Sequence, residues 1–312
     1  MEKPELIVLI GLQGSGKSTL AKQMVEENSN MVLLSSDNLR KLNPDWDNEK
    51  VFRQLYQDMN TLLSEGKSVI MDATNTSSKM RRTLLTNVKV SRDKYILKAI
   101  VVATPYYECY RRVALRNEDE NSHFVPEIVL EKYLMSFEMP TYTEGDYIVG
   151  KGYDEIVVLP KKKPFNKARF DSLKAAMDKF DQQTKWHNRT LGKHSDEVWE
   201  QLKKTNDSVL YKNFALLHDY GKLHTQKFKD DGNAQYIKHA NVGAYRLLHE
   251  CSDLIEIEDY DEFIKLIAYI NYHMNVFDWV TDKSKDKWKK TLGEDMYRDL
   301  IRFNECDKFR TE

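Results

Sequence analysis

Two groups of residues in this 312-residue chain have the types and spacing that chemistry requires. The first is Gly11-Leu12-Gln13-Gly14-Ser15-Gly16-Lys17-Ser18. Glycines in such a turn let backbone amides curl around phosphate without side chains in the way. Lys17 brings a point charge for β- and γ-phosphates, and Ser18 brings a hydroxyl for Mg²⁺. Gly11, Gly14, Ser15, Gly16 and the following Thr19 complete the expected nucleotide-binding set. Two acids lie downstream. Asp37 opens Asp37-Asn38-Leu39-Arg40, where a carboxylate can take the proton of an attacking hydroxyl and Arg40 shares its helical face. Asp72 opens Asp72-Ala73-Thr74-Asn75 and suits holding Mg²⁺ through water. Arg111, Arg112 and Arg116 follow on about two helical turns, a place from which guanidinium groups can close on a transferring phosphoryl group.

The second group centres on His218-Asp219-Tyr220-Gly221-Lys222. An imidazole beside a carboxylate can serve a metal pair, the carboxylate bridging and the nitrogen binding one ion. His187 and His194 stand upstream, and His239, His273 and Asp307 downstream, each expected on its own helix. Of eight histidines only His123 lies in the first half; the other seven fall between His187 and His273. His224 and His249 match no pattern and are expected on the surface.

These residues need two different scaffolds. The first half alternates short β-branched runs with helical stretches: Leu6–Ile10, Met31–Leu34, Ser68–Met71, Ile96–Ala103 and Ile156–Leu159. Such runs predict a parallel sheet covered on both faces, with the acids at strand C-terminal ends on its ligand rim. The helix opening at Lys17 adds its positive dipole end to the phosphate site. Pro160-Lys161-Lys162-Lys163-Pro164 marks a linker over residues 161–169. The spacing beyond it, such as Phe263, Leu266, Ile267 and Ile270, predicts helices alone. The expected division is therefore an α/β domain over 1–160, a linker over 161–169 and an all-α domain over 170–312.

Composition narrows the function classes. Lys+Arg of 48 against Asp+Glu of 49 gives a net charge of −1 and excludes a uniformly basic nucleic-acid coat. No apolar run nears the roughly 18 residues of a membrane helix. The N-terminal stretch Met1–Leu12 carries a short apolar segment that predicts a buried strand and not a signal peptide. Cys109, Cys251 and Cys306 are too few and scattered for a disulfide framework, so a reducing cytoplasm is expected.

GxxGSGKS, the D-x-x-R of Asp37 and Arg40, the D-x-T-N of Asp72 to Asn75, Leu115-Arg116-Asn117 and the V-P-E-x-V of Val125 to Val129 together resemble the polynucleotide 5′-kinase branch of P-loop kinases, over about residues 5–160. The resemblance implies that Lys17 and Ser18 bind phosphate and metal and that Asp37 is the general base for a 5′-hydroxyl. It further implies that Arg40 touches the acceptor's phosphate, Asp72 supports Mg²⁺ and Arg116 is a lid arginine. Glu120 stands where the family often has a second lid arginine, and Arg112, one turn earlier, is the substitute.

The order H…HD…H…H…D resembles the HD-domain metal-dependent phosphohydrolases, over roughly residues 180–310. That resemblance implies a helical bundle whose basic metal site is His194, His218, Asp219 and Asp307, with His239 and His273 completing a second. It gives Lys222 to the substrate phosphate and His187 to phosphate contact or leaving-group protonation. One or two divalent transition metals (Mn²⁺, Fe²⁺, Ni²⁺, Co²⁺ or Zn²⁺) are implied there, and Mg²⁺ with ATP or another NTP at the first site. The two resemblances imply a cytoplasmic end-healing enzyme. It would phosphorylate RNA or DNA 5′-hydroxyl ends and hydrolyse 2′,3′-cyclic, 2′- or 3′-phosphates with metal-activated water, leaving sealing to a separate ligase. The competing expectation is a sugar or nucleoside kinase joined to an HD nucleotide hydrolase. A nucleotide-switched interaction protein is a third reading, and it has no use for Asp37, Arg40 or the histidines.

Overall fold

The computed structural model describes residues 3–119, 124–184 and 189–308. The apolar runs of the first half form five parallel strands, β1 (Glu5–Ile10), β2 (Met31–Ser35), β3 (Ser68–Asp72), β4 (Ile96–Val102) and β5 (Glu155–Leu159), in the order β2-β3-β1-β4-β5. Between them run α1 (Lys17–Glu27), α2 (Ser36–Leu42), α3 (Asn48–Ser64), α4 (Ser78–Thr86), α5 (Tyr106–Asn117), α6 (Glu127–Met135) and α7 (Asp146–Val149). The central strand β1 is apolar at every residue from Leu6 to Ile10, and all five are buried. Alternate side chains of a strand face opposite ways, so a strand covered on both faces reads as a continuous apolar run. Ile7 and Leu9 join Ala21 of α1 with Ile70, Ile100 and Val102 in one core. Val51, Leu55, Met59 and Leu63, at intervals of four residues, form the buried stripe of α3. Ser35, Asp47 and Ser77 cap α2, α3 and α4 by accepting a backbone N–H.

The chain divides into two compact units. One runs to Tyr133 and resumes over Pro140–Pro160; the other comprises Leu134–Met139 and everything from Lys161. The short insert belongs to the second unit through backbone polar groups. The Phe137 carbonyl accepts from Asn241 Nδ2 at 2.7 Å and Asn271 Nδ2 at 3.1 Å, and the Met139 N–H donates to Asn271 Oδ1 at 2.6 Å.

The second unit contains α8 (Lys167–Met177), α9 (Leu191–Leu202), α10 (Val209–Leu217), α11 (Lys222–Thr225), β6 (Gln226–Phe228), β7 (Ala234–Tyr236), α12 (His239–Leu247), α13 (Tyr260–Tyr272), α14 (Asp282–Leu292) and α15 (Glu294–Asp307). Helix α13 is buried at nine of its thirteen residues and forms the unit's centre. The expectation of helices alone is corrected by the β6–β7 hairpin. Its strands have three residues each, too short for a visible alternation, but Asp230-Asp231-Gly232-Asn233 is a turn sequence. Gly232 takes a φ of 78°, and the Lys229 N–H reaches the Asn233 carbonyl at 3.0 Å. The stretch expected as a linker is also not free. Lys163 N–H donates to Ser252 Oγ at 3.1 Å, Asn166 caps α8, and Arg169 pairs with Asp253 at 2.6 Å. Proline and lysine there signal a non-helical start without revealing the partner that holds it.

Candidate functional site

In the first unit, the loop between β1 and α1 turns through Gly14 (φ 77°) and Gly16 (φ 98°), both left-handed. A Cβ on Gly14 would lie 2.6 Å from the Cys109 carbonyl oxygen, so only glycine fits. The Asp72–Asn75 segment ties the loop down: the Gly11 N–H donates to the Thr74 carbonyl at 3.1 Å, and Asn75 Nδ2 to the Leu9 carbonyl at 2.9 Å. Buried Arg81 holds the next residues, donating to the carbonyls of Asn75 (3.0 Å) and Thr76 (3.3 Å) while paired with buried Glu144 at 2.8 Å.

Lys17 Nζ folds back onto the loop, 2.9 Å from the Gly11 carbonyl and 2.8 Å from that of Leu12. Burial lowers its pKa to about 8, against the raising effect of the Asp72 carboxylate. The phosphates of a bound nucleotide favour the protonated ammonium, which is already present below that pKa and must be regained by proton uptake above it. Affinity for ATP is expected to fall as pH rises from 7 to 9, measured by calorimetric titration. A flat profile would contradict this role of Lys17.

Ser18 Oγ donates to Asp72 Oδ2 at 2.7 Å. Burial raises the Asp72 pKa, partly offset by Ser18 and Lys17. A hydroxyl beside a carboxylate at a helix N-terminus is an all-oxygen donor set that fits Mg²⁺. Asp37, on the first turn of α2, accepts from Arg40 Nη1 at 2.9 Å. Two residues of α3, absent from the sequence expectations, steady that guanidinium. Asn48 Oδ1 accepts from Nε at 3.3 Å and Nη2 at 3.0 Å, and the Phe52 ring lies 5.8 Å away.

The three arginines of α5 differ in employment. Arg111 and Arg112 both pair with Glu108, and Arg111 contributes most to holding that carboxyl at about 2. Arg112 also donates to the Gly14 carbonyl at 3.1 Å. Arg116 keeps a buried Nε without a hydrogen-bond partner among the described residues. Glu120, at the expected second lid position, lies outside the described residues. One cleft of about 1820 Å³ is lined by Gly14, Gly16, Lys17, Ser18, Thr19, Asp37, Arg40, Asp72, Arg112 and Arg116, with Gly11 and Ser15 buried in the loop beneath.

In the second unit, Asp219 sits between two histidine sets. Its Oδ2 lies 3.2 Å from His218 Nε2 and 3.6 Å from His194 Nε2; its Oδ1 lies 3.0 Å from His239 Nε2 and 3.7 Å from His273 Nε2. Asp307 Oδ1 closes the first set, 3.0 Å from His194 Nε2 and 3.4 Å from His218 Nε2. The result is two triplets of ligand atoms, His194, His218 and Asp307, then Asp219, His239 and His273.

Each element delivers its residue from an end or first turn. His194 is in the first turn of α9, His218 and Asp219 follow α10, His239 opens α12, His273 follows α13, and Asp307 ends α15. Three rings are turned by backbone carbonyls. His218 Nδ1 lies 2.9 Å from the Ala215 carbonyl, His239 Nδ1 2.9 Å from Tyr236, and His273 Nδ1 2.7 Å from Ile270. A carbonyl can only accept, so each Nδ1 carries a proton and each Nε2 is turned toward the carboxylates. His218 Nε2 is buried, with the Asp219 and Asp307 carboxylates as its near neighbours among the described residues. Four imidazoles and two carboxylates fit divalent transition ions.

Burial works against charge on Asp219, yet Lys222 and His218 hold it well below the usual carboxylate range. Burial likewise opposes a charged His218, but Asp219 and Asp307 push its imidazole up to about 10. These are the electrostatics of a site that favours positive charge. Lys222 is placed on Asp219 Oδ2 (2.6 Å) and on buried Gln182 Oε1 (2.8 Å), a partner the sequence pattern does not disclose.

Gly221 explains the glycine beside the dyad. A Cβ there would lie 1.9 Å from the His239 carbonyl oxygen and 2.9 Å from the Gly243 nitrogen. Helix α12, which carries His239, can rest on this turn only without a side chain between. Gly221→Ala is expected to lower stability by about 1–3 kcal/mol and to reduce the metal retained after loading and desalting. Thermal melts and elemental analysis check this, and unchanged metal content would contradict it.

Of the remaining histidines, His187 lies outside the described residues and His224 is exposed. The surface expectation for His249 is corrected: it is 3% exposed and edge-on to Tyr245 at 5.1 Å, because the apolar face of α12 continues past its last turn. No described helix is long and apolar enough to cross a membrane.

Residues 6–140 match the family model described as AAA domain. No curated protein matches the chain. Among solved structures it is similar to a chain of the Pnkp1/Rnl/Hen1 RNA repair complex, at 26% identity over 43% of each chain with a TM-score of 0.38. A fungal RNA kinase is similar at 18% identity, covering 55% of this chain and 84% of that one, TM-score 0.38. A gluconokinase from Sinorhizobium meliloti 1021 is similar at 18%, covering 51% and 83%, TM-score 0.33. The chain spans 43% and 40% of the length of the first two RNA repair chains it resembles. Parallel sheet, phosphate loop and the match over residues 6–140 agree on an α/β P-loop fold for the N-terminal unit, and a separate, mainly helical unit follows.

Proposed function

We propose that the chain heals broken nucleic-acid ends with two activities, a 5′-hydroxyl kinase in the first unit and an HD-type phosphohydrolase in the second. The observation that supports the kinase is the Asp37–Arg40 pair on the rim of the phosphate-loop cleft. Asp37 takes the proton of the 5′-hydroxyl as its oxygen attacks the γ-phosphorus, and ADP departs from the opposite side. Lys17 and Arg116 offset the charge on the phosphoryl oxygens, while Arg40, held by Asn48 and Phe52, orients the acceptor. Mg²⁺ held through Ser18 and Asp72 supplies further charge neutralisation when bound.

The hydrolase reading rests on Asp219, whose two oxygens each face one histidine set. His194, His218 and Asp307 would hold one divalent ion and His239 and His273 a second, with Asp219 shared. When bound, such a pair supplies Lewis acidity toward phosphorus and lowers the pKa of water. The protein's own part is to turn the rings through Ala215, Tyr236 and Ile270 and to keep Asp219 ionised through Lys222. A water adds across the P–O bond of a 2′,3′-cyclic phosphate, or cleaves a terminal 2′- or 3′-phosphate. The product ends suit a separate ligase.

Labelled phosphate transfer from ATP, compared among a 5′-hydroxyl oligonucleotide, sugars and nucleosides, tests the kinase assignment. Transfer to the oligonucleotide is expected. Label found only on a sugar or nucleoside would replace this reading with a small-molecule kinase.

A further inference from the structure

The cleft beside the phosphate loop exceeds what a nucleotide needs. Its volume is about 1820 Å³, against roughly 300–1,000 Å³ for pockets that enclose a drug-sized ligand. Beyond Asp37 and Arg40 it continues between α3 and α4, lined by Phe52 and Tyr56 on one side and Met80, Thr83 and Asn87 on the other. Asn60 ties off the far end, donating to the Asn87 carbonyl at 2.8 Å and accepting from the Lys89 N–H at 2.6 Å.

Phe52 and Tyr56 are not core residues. The buried stripe of α3 is Val51, Leu55, Met59 and Leu63, and the two aromatics sit half-buried on a neighbouring face, ring centroids 6.0 Å apart. Cations line the same cleft. Arg40 is 5.8 Å from the Phe52 ring, and Lys79 is exposed on the α4 side of the cleft. Aromatic faces interleaved with cations, in a groove leading from the reactive centre, match the stacked bases and spaced phosphates of a single strand. A sugar or free nucleoside would fill only the part beside Asp37.

We propose that this groove seats the nucleotides following the reactive end of a single-stranded acceptor, with Phe52 and Tyr56 stacking their bases. The assignment rests on the reading of the first unit as a 5′-hydroxyl kinase and names its substrate class.

The test measures kcat/KM for labelled phosphate transfer from ATP to a nucleoside 3′-monophosphate and to 5′-hydroxyl oligonucleotides of two to six nucleotides. Wild type, Tyr56→Ala and Phe52→Leu are compared. In wild type, kcat/KM is expected to rise over the first few added nucleotides. The oligonucleotide-to-mononucleotide ratio of kcat/KM is expected to fall about 5- to 150-fold in Tyr56→Ala, the size of one lost stack. Phe52→Leu keeps apolar volume without a π face and is expected to lower the ratio too. A wild type indifferent to acceptor length, or a ratio unchanged in both variants, would overturn the groove assignment and leave the kinase reading standing. No transfer from wild type to any 5′-hydroxyl nucleotide would overturn the kinase reading, and the groove assignment with it.

Discussion

Asp37→Ala is expected to lower kcat for phosphate transfer to a 5′-hydroxyl end by about 10²- to 10⁴-fold, the range for losing a positioned general base. The KM for ATP should stay within about twofold, because a group that acts on the acceptor proton in the transition state does not hold the donor. The carboxylate is more than half exposed on α2 and, among the described residues, pairs with Arg40 alone, so its removal leaves no buried charge and the fold should be kept. Asp37→Asn should lose as much activity, since an amide preserves the contact with Arg40 but accepts no proton at neutral pH. Initial rates with saturating ATP check the prediction. A variant within about tenfold of wild type would show that another group or solvent takes the proton, and Asp37 would be reassigned to acceptor positioning.

The second large effect belongs to Asp219. Asp219→Ala removes the carboxylate whose two oxygens face the two histidine sets and leaves Lys222 buried beside an apolar side chain. Removing one partner of a buried ion pair costs roughly 3–5 kcal/mol, so a clear fall in melting temperature is expected. Metal content after loading should fall from one or two ions per chain toward none, and phosphate release from a 2′,3′-cyclic end should disappear. Asp219→Asn keeps the volume and separates the two causes: it should melt closer to wild type yet release no phosphate. Kinase activity should persist in both variants, because Lys17, Asp37 and Arg116 lie in the other unit. Undiminished phosphate release in Asp219→Asn, or release insensitive to a chelator, would contradict the metal assignment.

The parts of the molecule readable in advance are those where backbone or burial constrains composition. β1 over Leu6–Ile10 and β3 over Val69–Met71 had to be apolar because both faces are covered, and the observed strand bounds differ from the sequence reading by one residue at an end. The phosphate loop demanded glycine at Gly14 and Gly16 because their φ angles are positive. His194, His218, His239 and His273 come together because each lies at or next to the end of a different helix.

What escaped was supplied across space. Asn48 and Phe52 reach Arg40 from the next helix, and Gln182 reaches Lys222 over forty residues of chain. The carbonyls of Ala215, Tyr236 and Ile270 set the rings, yet a backbone oxygen leaves no mark in sequence. The division of Asp219's two oxygens between histidine sets is likewise a product of packing. Thr74 and Asn75 belonged to a motif, but their work in bracing the loop through Gly11 and Leu9 shows only in three dimensions. His249 shows the opposite error, a polar residue assigned to the surface that the apolar run of α12 carries inside.

One assay reaches the central assertion, that a single chain carries two separable end-healing sites. An RNA oligonucleotide with a 5′-hydroxyl and a 2′,3′-cyclic phosphate is incubated with labelled ATP and divalent metal, and both ends are read in the same reaction. Wild type should label the 5′ end and open or remove the phosphate at the other. Lys17→Ala should lose the label and keep phosphate hydrolysis, and Asp219→Asn should do the reverse. Wild type that modifies neither end, or labels only a small-molecule alcohol supplied in competition, would contradict the account.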